Sequence, residues 1–564
     1  MSGKKEKNKR YSHLSLVLLL GWTFLNIIQG YFTELFHDEA YYWMYGQHID
    51  WGYWEHAPMI GLMTWLGSSI FSGEIGVRFF SILMSTGTIW LLLKMVNPKN
   101  LWLFWAMIGS MVLVHVGGFF SAPDSPLIFF TALFLFQYRR FIANPSIKET
   151  LLLAVIAALL MYSKYHGGLV IFFTAISNLR LFKMKQFWGV VILSTLLYLP
   201  HFWWLVDNQF ETFQYHLLKR PQGHFPFETP LNYLLGQVLF SGPFVGVIVL
   251  LGMFKVKAKD EFERALKFVS LGILGFLGIF SFRGWIEANW AAAAYIPAII
   301  LSYQWLREKP EVYKWIYRLA VPSILLMIVL RVYLIYDFYP PLRKIRPEFH
   351  GWPEWAERIE EKAGEKPVLF FNDYKLPSKY TFYTGKPAYT LSNAWYHKTS
   401  FDLWGSEDSL QGKDVMIVSR TWVEKADDLF DEYGKKYFVR KVDDFVSFSQ
   451  VKIQIPDVPK TLKIGERDTL SAILVNEYDH HVNLAVNPEI PIQIMVVFFK
   501  EKKTHTVLIA SEVLTHKIEA GASDSVNVRF RPPHEPGTYQ MLFMLKHGWY
   551  YPCVNGERIE IEVK

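Results

Sequence analysis

Apolar residues are gathered into long blocks, separated by short polar loops, from near the N-terminus to about Tyr336. A helix that crosses a bilayer needs roughly 20 such residues. The pattern predicts about eleven spans, of which the fifth and sixth are short: Leu14–Gln29, Ile75–Leu93, Leu101–Phe120, Pro126–Phe141, Leu151–Tyr162, Leu169–Leu179, Phe187–Leu205, Leu231–Phe254, Leu266–Phe282, Ala288–Leu306 and Trp315–Tyr336.

Basic residues flank the short fifth and sixth spans on both sides: Arg139, Arg140 and Lys148 before them, and Arg180, Lys183 and Lys185 after them. Because cytoplasmic loops carry an excess of Lys and Arg, both ends are predicted to lie inside, and the pair to form a hairpin that turns at Ser163–Gly168. With an inside N-terminus, the loops holding Asp38 and Asp124 and everything after Asp337 are then predicted to lie outside.

The chain changes character after Asp337, where a Pro-containing basic linker leads into a segment of soluble composition. Helical signals over Pro353–Ala363 and short apolar runs at Val368–Phe371 and Val415–Val418 predict a small α/β domain. From Val451 onward only alternating strands and turns recur, which favours a β-sandwich. The predicted domains are a transmembrane core at 1–340, an extracytoplasmic α/β domain at 341–450 and a sandwich at 451–564.

Composition agrees with a polytopic α-helical membrane protein and excludes other classes. The 564 residues are 51% hydrophobic with a mean hydropathy of +0.15. The net charge of +7 is diffuse, so no nucleic-acid patch is indicated. A single cysteine, Cys553, excludes an internal disulfide and a cysteine-based metal cluster. No small-residue cleavage site follows the first apolar stretch, which is therefore predicted to remain as a helix.

The loop after the first span carries the most informative residues, Asp38-Glu39 and, further along, Glu55-His56 among aromatic rings. Carboxylates at a bilayer surface repel anionic lipid headgroups, so their presence in this loop indicates a function. One interpretation makes Asp38 and Glu39 a general base or cation ligands in an aromatic-walled cleft. The alternative is that Asp38 caps an interfacial helix and Glu39 faces water.

Each of three further polar residues, near or inside apolar stretches, has two interpretations. Asp124, in Ser121–Pro126, either caps a helix or shares a cleft with Asp38. Lys164, at the hairpin tip, either snorkels to the interface or contacts a phosphate. Arg78 lies inside a predicted span and must pair with an acid or a phosphate.

Two further outer loops add cations and polar groups on the same predicted face: His216, Lys219, Arg220 and His224 in one, and Arg283, Glu287 and Asn289 in the other. Cations around carboxylates suit an anionic lipid phosphate leaving group beside a carboxylate base. A transporter would instead place charges at mid-membrane in broken helices.

In their order and spacing, these motifs resemble those of the polyprenyl-phosphate-sugar-dependent glycosyltransferases of the GT-C fold. The segments that carry the resemblance are Asp38-Glu39, Tyr53–Pro58, Ala122–Pro126, Ser163–Tyr165 and Glu287–Ala291. The nearest groups are family 39-type enzymes, similar to protein O-mannosyltransferases and lipid A aminoarabinose transferases. The likeness covers about Leu14–Tyr336, and the sandwich is an addition to it.

The resemblance implies inverting transfer of a sugar from an isoprenoid phosphate to a hydroxyl of a protein, lipid A or a surface glycan, at the outer face of the bacterial plasma membrane. It makes Asp38 the catalytic carboxylate, with Glu39 and Asp124 as further acids. It also makes Glu55 a ligand of a divalent metal ion, for which His216 is a further candidate ligand. By their charge, Lys164, Arg220 and Arg283 are candidate contacts of the departing phosphate, and Glu287, Asn289, Arg78 and His56 are further candidate substrate contacts.

One departure bears on that metal. The aminoarabinose transferases usually have Lys after the matching glutamate, whereas this chain has His56. A divalent cation is expected to assist departure of the phosphate without being essential, because phosphate is already a good leaving group.

Two other classes remain as alternatives. A lipid or glycan transporter would need a charged path through the membrane. A membrane-anchored glycan-binding protein would need far fewer spans than about eleven.

The predicted topology can be checked with single cysteines placed beside Asp38, Asp124 and Tyr539 in a Cys553→Ser background. All three are expected to react with a membrane-impermeant thiol reagent in whole cells, because charge asymmetry places their loops outside. Protection of the Tyr539 position alone would show that the number of spans before it is even rather than odd.

Overall fold

A computed structural model describes residues 2–210, 228–345, 348–392, 398–420, 426–432, 434–485, 490–500, 503–548 and 552–564. The chain forms two compact units, Met1–Trp352 and Pro353–Lys564. The first unit is helical and the second is rich in β-strands. The predicted three-domain division of the chain remains a prediction.

Each apolar stretch predicted from the sequence lies in one or two helices of the first unit. These helices are α1 (Ser2–Phe32), α2 (His37–Gln47), α3 (Met59–Ile70), α4 (Gly73–Val96), α5 (Leu101–Ile108), α6 (Val112–Phe119), α7 (Asp124–Ala143), α8 (Ile147–Ser163), α9 (Gly167–Ser177), α10 (Lys185–Asp207), α11 (Glu228–Ser241), α12 (Gly246–Lys255), α13 (Glu261–Phe280), α14 (Ala292–Arg307), α15 (Pro310–Ile335) and the short α16 (Pro341–Ile345). The apolar helix α3 was not predicted as a separate element.

Two predicted spans are sharply bent. Helices α5 and α6 meet at 78°, and α11 and α12 meet at 96°. The second bend contains Gly242, whose φ of 125° suits glycine alone. A Cβ at this position would lie 2.7 Å from the carbonyl oxygen of Ser110 in the first bend, so the absence of a side chain lets the two breaks approach each other.

The predicted number of spans is not confirmed. Within the described ranges, five helices are long and apolar enough to cross a membrane, or seven if each bent pair counts as one span. Helices α8 and α9 are separate, as predicted, and only Lys164, Tyr165 and His166 join them. The chain is thus a multi-pass membrane protein whose helices are more often short or broken than hydropathy alone indicates.

The most enclosed helix of this unit is α14, which is buried along almost its whole length from Ala292 to Leu306. A helix that is apolar on every side belongs inside a bundle. A short 3₁₀ turn, Ala288–Ala291, leads into it and presents Asn289 at its entrance.

The second unit begins with an α/β layer. Helices α17 (Trp352–Ala363) and α18 (Lys375–Thr384) accompany a five-stranded sheet in the order β2-β1-β3-β5-β4. The strands are β1 (Val368–Phe371), β2 (Ala388–Leu391), β3 (Lys413–Ser419), β4 (Asp428–Glu432) and β5 (Lys435–Phe445). β1, β2 and β3 are parallel, whereas β4 and β5 pair antiparallel. The helix and both strands predicted here are confirmed.

The rest of the unit is built from strands β6 (Val451–Gln454), β7 (Thr461–Leu462), β8 (Asp468–Asn476), β9 (Val482–Asn483), β10 (Ile492–Lys500), β11 (Lys503–Ile509), β12 (Lys517–Ile518), β13 (Ser523–Phe530), β14 (Gly537–His547), β15 (Cys553–Val554) and β16 (Ile559–Val563). One sheet has the order β11-β10-β14-β16-β7 with β15 beside β14, and a second has the order β13-β8-β6. Alternate residues of both sheets share one apolar core, which is the arrangement of a β-sandwich.

Candidate active site

Helix α2 carries the first acidic motif. It begins at His37 and its N-cap position is Phe36, so Asp38 lies in the first turn and the prediction that it caps the helix is wrong. Asp38 is partly exposed, whereas Glu39 is completely buried. Adjacent carboxylates in one turn therefore lie in very different environments.

Glu39 is bound on both carboxylate oxygens. The guanidinium of Arg78, on α4, donates from Nε to Oε1 at 2.8 Å and from Nη2 to Oε2 at 2.5 Å. The backbone N–H of Ser121 also donates to Oε1, at 2.8 Å, and that of Phe36 donates to Oε2, at 3.0 Å. Four donors occupy the carboxylate, so it has little capacity left to accept a proton from a substrate.

Arg78 is likewise hydrogen-bonded to several acceptors within the protein. It is 1% exposed and donates to the carbonyl oxygens of Gly30, Thr33 and Glu34 in addition to Glu39. The prediction that it pairs with an acid or a phosphate is resolved in favour of the acid. The contacts make Glu39 and Arg78 a buried pair that links α2 to α4. The catalytic role predicted for Glu39 and the substrate contact predicted for Arg78 stay predictions.

Three residues predicted from separate motifs meet at a second carboxylate. Lys164 Nζ donates to both oxygens of Asp124, at 2.8 and 3.0 Å, and Asn289 Nδ2 donates to Oδ2 at 3.0 Å. Asp124 is the first residue of α7, with Pro123 at the N-cap position, so it is not the cap. The lysine side chain is 8% exposed, which argues against snorkelling into water.

Tyr42, also on α2, is surrounded by the acids of both motifs. Burial raises its pKa well above the usual value, and the negative charges of Asp38, Asp124 and Glu55 raise it further. All three carboxylates therefore act on one phenol. Asp38 and Asp124 therefore lie within electrostatic range of the same phenol, and the shared cleft stays a prediction.

Glu55 and His56 pack against tyrosines of α2. The phenols of Tyr41 and Tyr45 donate to the Glu55 carboxylate at 2.8–3.0 Å, and His56 Nε2 lies 3.2 Å from the hydroxyl of Tyr42. This fixes the loop that follows α2 against the helix.

Helix α10 holds the same loop from its other side, which the sequence analysis did not predict. The buried His201 places Nδ1 2.6 Å from the carbonyl oxygen of Trp51 and Nε2 3.2 Å from the hydroxyl of Tyr165. Trp204 Nε1 donates to Asp50 at 2.9 Å. The signal that the sequence offered for this contact was His201, a histidine four residues before the end of the seventh predicted span.

The remaining predicted contacts lie elsewhere. Arg283 is exposed, with its guanidinium 5.6 Å from the ring centre of Phe280. Glu287 is exposed and accepts a hydrogen bond from Trp285 at 2.7 Å. Arg220 and His216 fall in 211–227, outside the described residues.

Of the two predicted metal ligands, Glu55 and His216, the structure describes only Glu55. Tyrosine hydroxyls occupy both oxygens of Glu55, and no group of three or more His, Cys, Asp or Glu side chains able to hold a metal is found within the described ranges. His216, the second predicted ligand, lies in 211–227, outside the described residues, so the metal site predicted for Glu55 and His216 stays a prediction.

Comparisons with known proteins bear on the fold and on the family that the chain resembles. Residues 55–204 match the family model described as dolichyl-phosphate-mannose-protein mannosyltransferase. A lipid A galacturonosyltransferase, RgtD from Rhizobium johnstonii, is 25% identical over 313 residues, which is 52% of this chain. The match spans 65% of the length of that relative.

The fold is that of ArnT. The structure of ArnT from Cupriavidus metallidurans in the apo state superposes with a TM-score of 0.56 at 13% identity, over 77% of this chain and 98% of that one. ArnT bound to undecaprenyl phosphate gives 0.53 at 12% identity, over 76% and 97%. The GT-C resemblance drawn from the motifs is confirmed, as is the division into apolar helices and a C-terminal β-rich region.

The Glu39–Arg78 pair makes a prediction about stability. Glu39→Gln leaves a buried guanidinium without its counter-charge and is expected to cost about 3–5 kcal/mol of unfolding free energy. Unfolding of the detergent-solubilised protein, followed by helical circular dichroism, measures this loss. The matched control is Glu261→Gln, which breaks an exposed pair with Arg180 at 3.2 Å and is expected to cost at most about 1 kcal/mol.

A double variant separates charge from packing. Glu39→Gln with Arg78→Met removes the uncompensated charge and should recover part of the lost stability. Recovery stays incomplete because the carbonyl oxygens of Gly30, Thr33 and Glu34 lose their donor. Equal stability of Glu39→Gln and the control would contradict a structural role for this pair.

Proposed function

We propose that this protein is a membrane glycosyltransferase that moves a sugar from a polyprenyl-phosphate donor to an acceptor hydroxyl at the outer face of the plasma membrane, with inversion at the anomeric carbon. The observation that carries the proposal is the meeting of Asp124, Lys164 and Asn289 in one hydrogen-bonded group, beside the acidic turn of α2, within an ArnT-like fold. These residues come from three segments that are distant in the sequence.

The donor class is supported by chemistry and by comparison. One of the ArnT structures is bound to undecaprenyl phosphate, and the family model is named for a dolichyl-phosphate sugar donor. In this chain, the lysine of the group supplies a cation where a lipid phosphate would have to depart. The apolar helices around it provide a medium for an isoprenoid chain.

The acceptor is proposed more broadly. The relative RgtD is named for lipid A, whereas the family model is named for proteins. A hydroxyl of lipid A, of a protein or of a surface glycan would each meet the same requirement, which is a nucleophilic oxygen that gives up one proton.

Asp38 is the better general base of the two exposed candidates. Asp124 accepts hydrogen bonds from Lys164 and from Asn289, so both of its oxygens are already engaged. Glu39 is saturated by four donors. Asp38 stands at the start of a helix, is partly exposed and acts on the same phenol as Asp124. A positioned carboxylate that accepts the hydroxyl proton contributes typically 10²–10⁴-fold in rate.

Lys164 is placed to stabilise the leaving group. An ammonium has three N–H donors, and the described contacts use two on Asp124. The third can be directed at a phosphate oxygen, while Asp124 holds the lysine still. Charge-assisted hydrogen bonds of this kind gain strength as negative charge develops on the departing group.

The reaction then balances without another reactant. The acceptor oxygen attacks the anomeric carbon and forms the new glycosidic bond. The bond from that carbon to the phosphate oxygen breaks, and its electron pair leaves with polyprenyl phosphate. The hydroxyl proton passes to Asp38. Release of polyprenyl phosphate from a polyprenyl-phosphate sugar by the purified protein, dependent on acceptor, tests the proposal, and a transporter would release none.

Asp38→Asn tests the base. It preserves the shape of the side chain and removes the proton acceptor, so turnover is expected to fall by roughly 10²–10⁴-fold. Donor affinity and thermal stability are expected to stay near those of the parent protein. If Asp38→Asn transfers sugar at a nearly normal rate, the base is another group, and Asp124→Asn becomes the next variant to assay.

Lys164→Met tests the phosphate contact. Loss of the ammonium is expected to weaken donor binding and to lower turnover, because the phosphate loses a charge-assisted hydrogen bond in both states. Such a bond contributes about 1.5–3 kcal/mol, or roughly 10–150-fold. Arg283→Ala and Arg220→Ala, measured in parallel, rank the other two predicted cations. Unchanged donor affinity in all three would remove the phosphate assignment.

A further inference from the structure

A buried arginine near the end of the last long helix has no role in the site described above. Arg331 lies on α15 and is 6% exposed. It meets Asn26 of α1 and His115 of α6, both of which are also buried. A charged side chain among apolar helices of a membrane protein is costly, and such residues commonly mark a functional position.

The hydrogen bonds of this cluster fix its charge. Arg331 Nε donates to His115 Nδ1 at 3.0 Å, and Nη2 donates to Asn26 Oδ1 at 2.8 Å and to the carbonyl oxygen of His115 at 3.1 Å. His115 Nε2 lies 2.8 Å from the carbonyl oxygen of Gly109 and donates to it. Since Nδ1 accepts and Nε2 donates, the imidazole is neutral, and the cluster carries one positive charge.

Within the described ranges that charge has no carboxylate partner. Its faces are covered instead by aromatic rings, with the centres of Trp22 and Phe119 each 5.3 Å from the guanidinium carbon. Cation–π contacts of this kind lower the cost of a buried cation but do not neutralise it. The two rings cover the faces of the guanidinium, and Nε and Nη2 are hydrogen-bonded. Nη1 is the guanidinium nitrogen that has no partner among the described residues.

Two buried donors of the cluster lack a partner among the described residues: Arg331 Nη1 and Asn26 Nδ2. They belong to two side chains that are hydrogen-bonded to each other through Arg331 Nη2 and Asn26 Oδ1. Both can only donate, which means that the missing partner is an acceptor. Burying a donor without an acceptor is unfavourable, so an acceptor at this position would stabilise the cluster.

Glycine at position 118 keeps the cluster compact. A Cβ there would lie 2.7 Å from Asn26 Oδ1 and 3.2 Å from Arg331 Nη2. The helix backbone thus approaches the two polar side chains more closely than any other residue would allow.

The position along the helices indicates the class of ligand. Arg331 lies one turn before the end of α15, and His115 lies one turn before the end of α6. At 1.5 Å per residue this is about 6 Å from each helix end, near the depth of lipid headgroups and the first acyl carbons. We propose that Arg331 and Asn26 bind the phosphate of a membrane lipid, at a site separate from the Asp124–Lys164 group.

Guanidinium and phosphate match in charge and geometry, because a planar fork of donors meets tetrahedral oxygens. The phosphate could be that of an isoprenoid or of a glycerophospholipid, and both share the chemistry that the site recognises. The proposal does not rest on glycosyl transfer, since it follows from the buried cation alone.

Native mass spectrometry of the delipidated full-length protein tests the proposal with three probes: undecaprenyl phosphate, phosphatidylglycerol and phosphate-free dioleoylglycerol. The parent protein is expected to retain the phosphate lipids in preference to dioleoylglycerol. Arg331→Gln should reduce retention of phosphatidylglycerol by about 10-fold or more, which is the effect of losing roughly 1.5 kcal/mol of charge-assisted bonding. Lys164→Met should leave it unchanged, which separates this site from the proposed donor site.

Arg318→Gln is the matched control. Arg318 lies on the same helix and stacks over an aromatic ring, Trp315, at 5.1 Å, but it is exposed. Its substitution is expected to leave retention unchanged. An effect of Arg331→Gln on undecaprenyl phosphate alone assigns the site to an isoprenoid phosphate, and an effect on both lipids assigns it to phosphate headgroups in general.

A second measurement keeps the test decisive if Arg331→Gln does not fold. The melting temperature of the parent protein should rise more with phosphatidylglycerol than with dioleoylglycerol, and Asn26→Leu should remove that difference. Equal stabilisation of the parent protein by the two lipids would overturn the proposal and show that the aromatic rings alone sustain the buried charge.

Discussion

The buried pair of Glu39 and Arg78 is the interaction on which the arrangement of the site depends. Arg78 belongs to α4, yet it binds carbonyl oxygens at the end of α1 and the carboxylate at the start of α2. That carboxylate in turn holds the backbone of Ser121, three residues before Asp124. One ion pair therefore joins four segments of the chain, and it sets the distance between the turn that carries Asp38 and the turn that carries Asp124.

A division of labour among the acids follows from their surroundings. A full set of hydrogen-bond donors offsets the cost of burying the Glu39 carboxylate, and these bonds make its surroundings rigid. Asp124 is matched to Lys164 and orients a cation. Asp38 remains at the margin of the group, where water and a substrate can reach it. Three carboxylates that look alike in the sequence thus become a positioning group, a cation holder and a proposed base.

Much of the fold could be predicted from the sequence, because apolar blocks, basic loops and short motifs are local signals. Asp124, Lys164 and Asn289 were each singled out in this way, but their meeting in one hydrogen-bonded group was not predicted. The partner of Glu39 could not, since Arg78 lies 39 residues away and Glu39 offers no sign of which element it faces. The bends between α5 and α6 and between α11 and α12 interrupt continuous apolar runs, which hydropathy reads as single spans. Arg331 lies within a continuous apolar run, the last predicted span, and its charge was therefore not singled out in the sequence.

The pairing of Asp124 with Lys164 has a consequence for the kinetics of encounter. Each of the two buried cations closest to the acidic turn, Lys164 and Arg78, is neutralised by its own carboxylate among the described residues. These two ion pairs therefore add little net positive charge at this end of the bundle, so their cations do not attract an anion from a distance. A phosphate-bearing lipid would have to arrive by lateral diffusion within the bilayer, so its association rate should depend on membrane fluidity far more than on ionic strength.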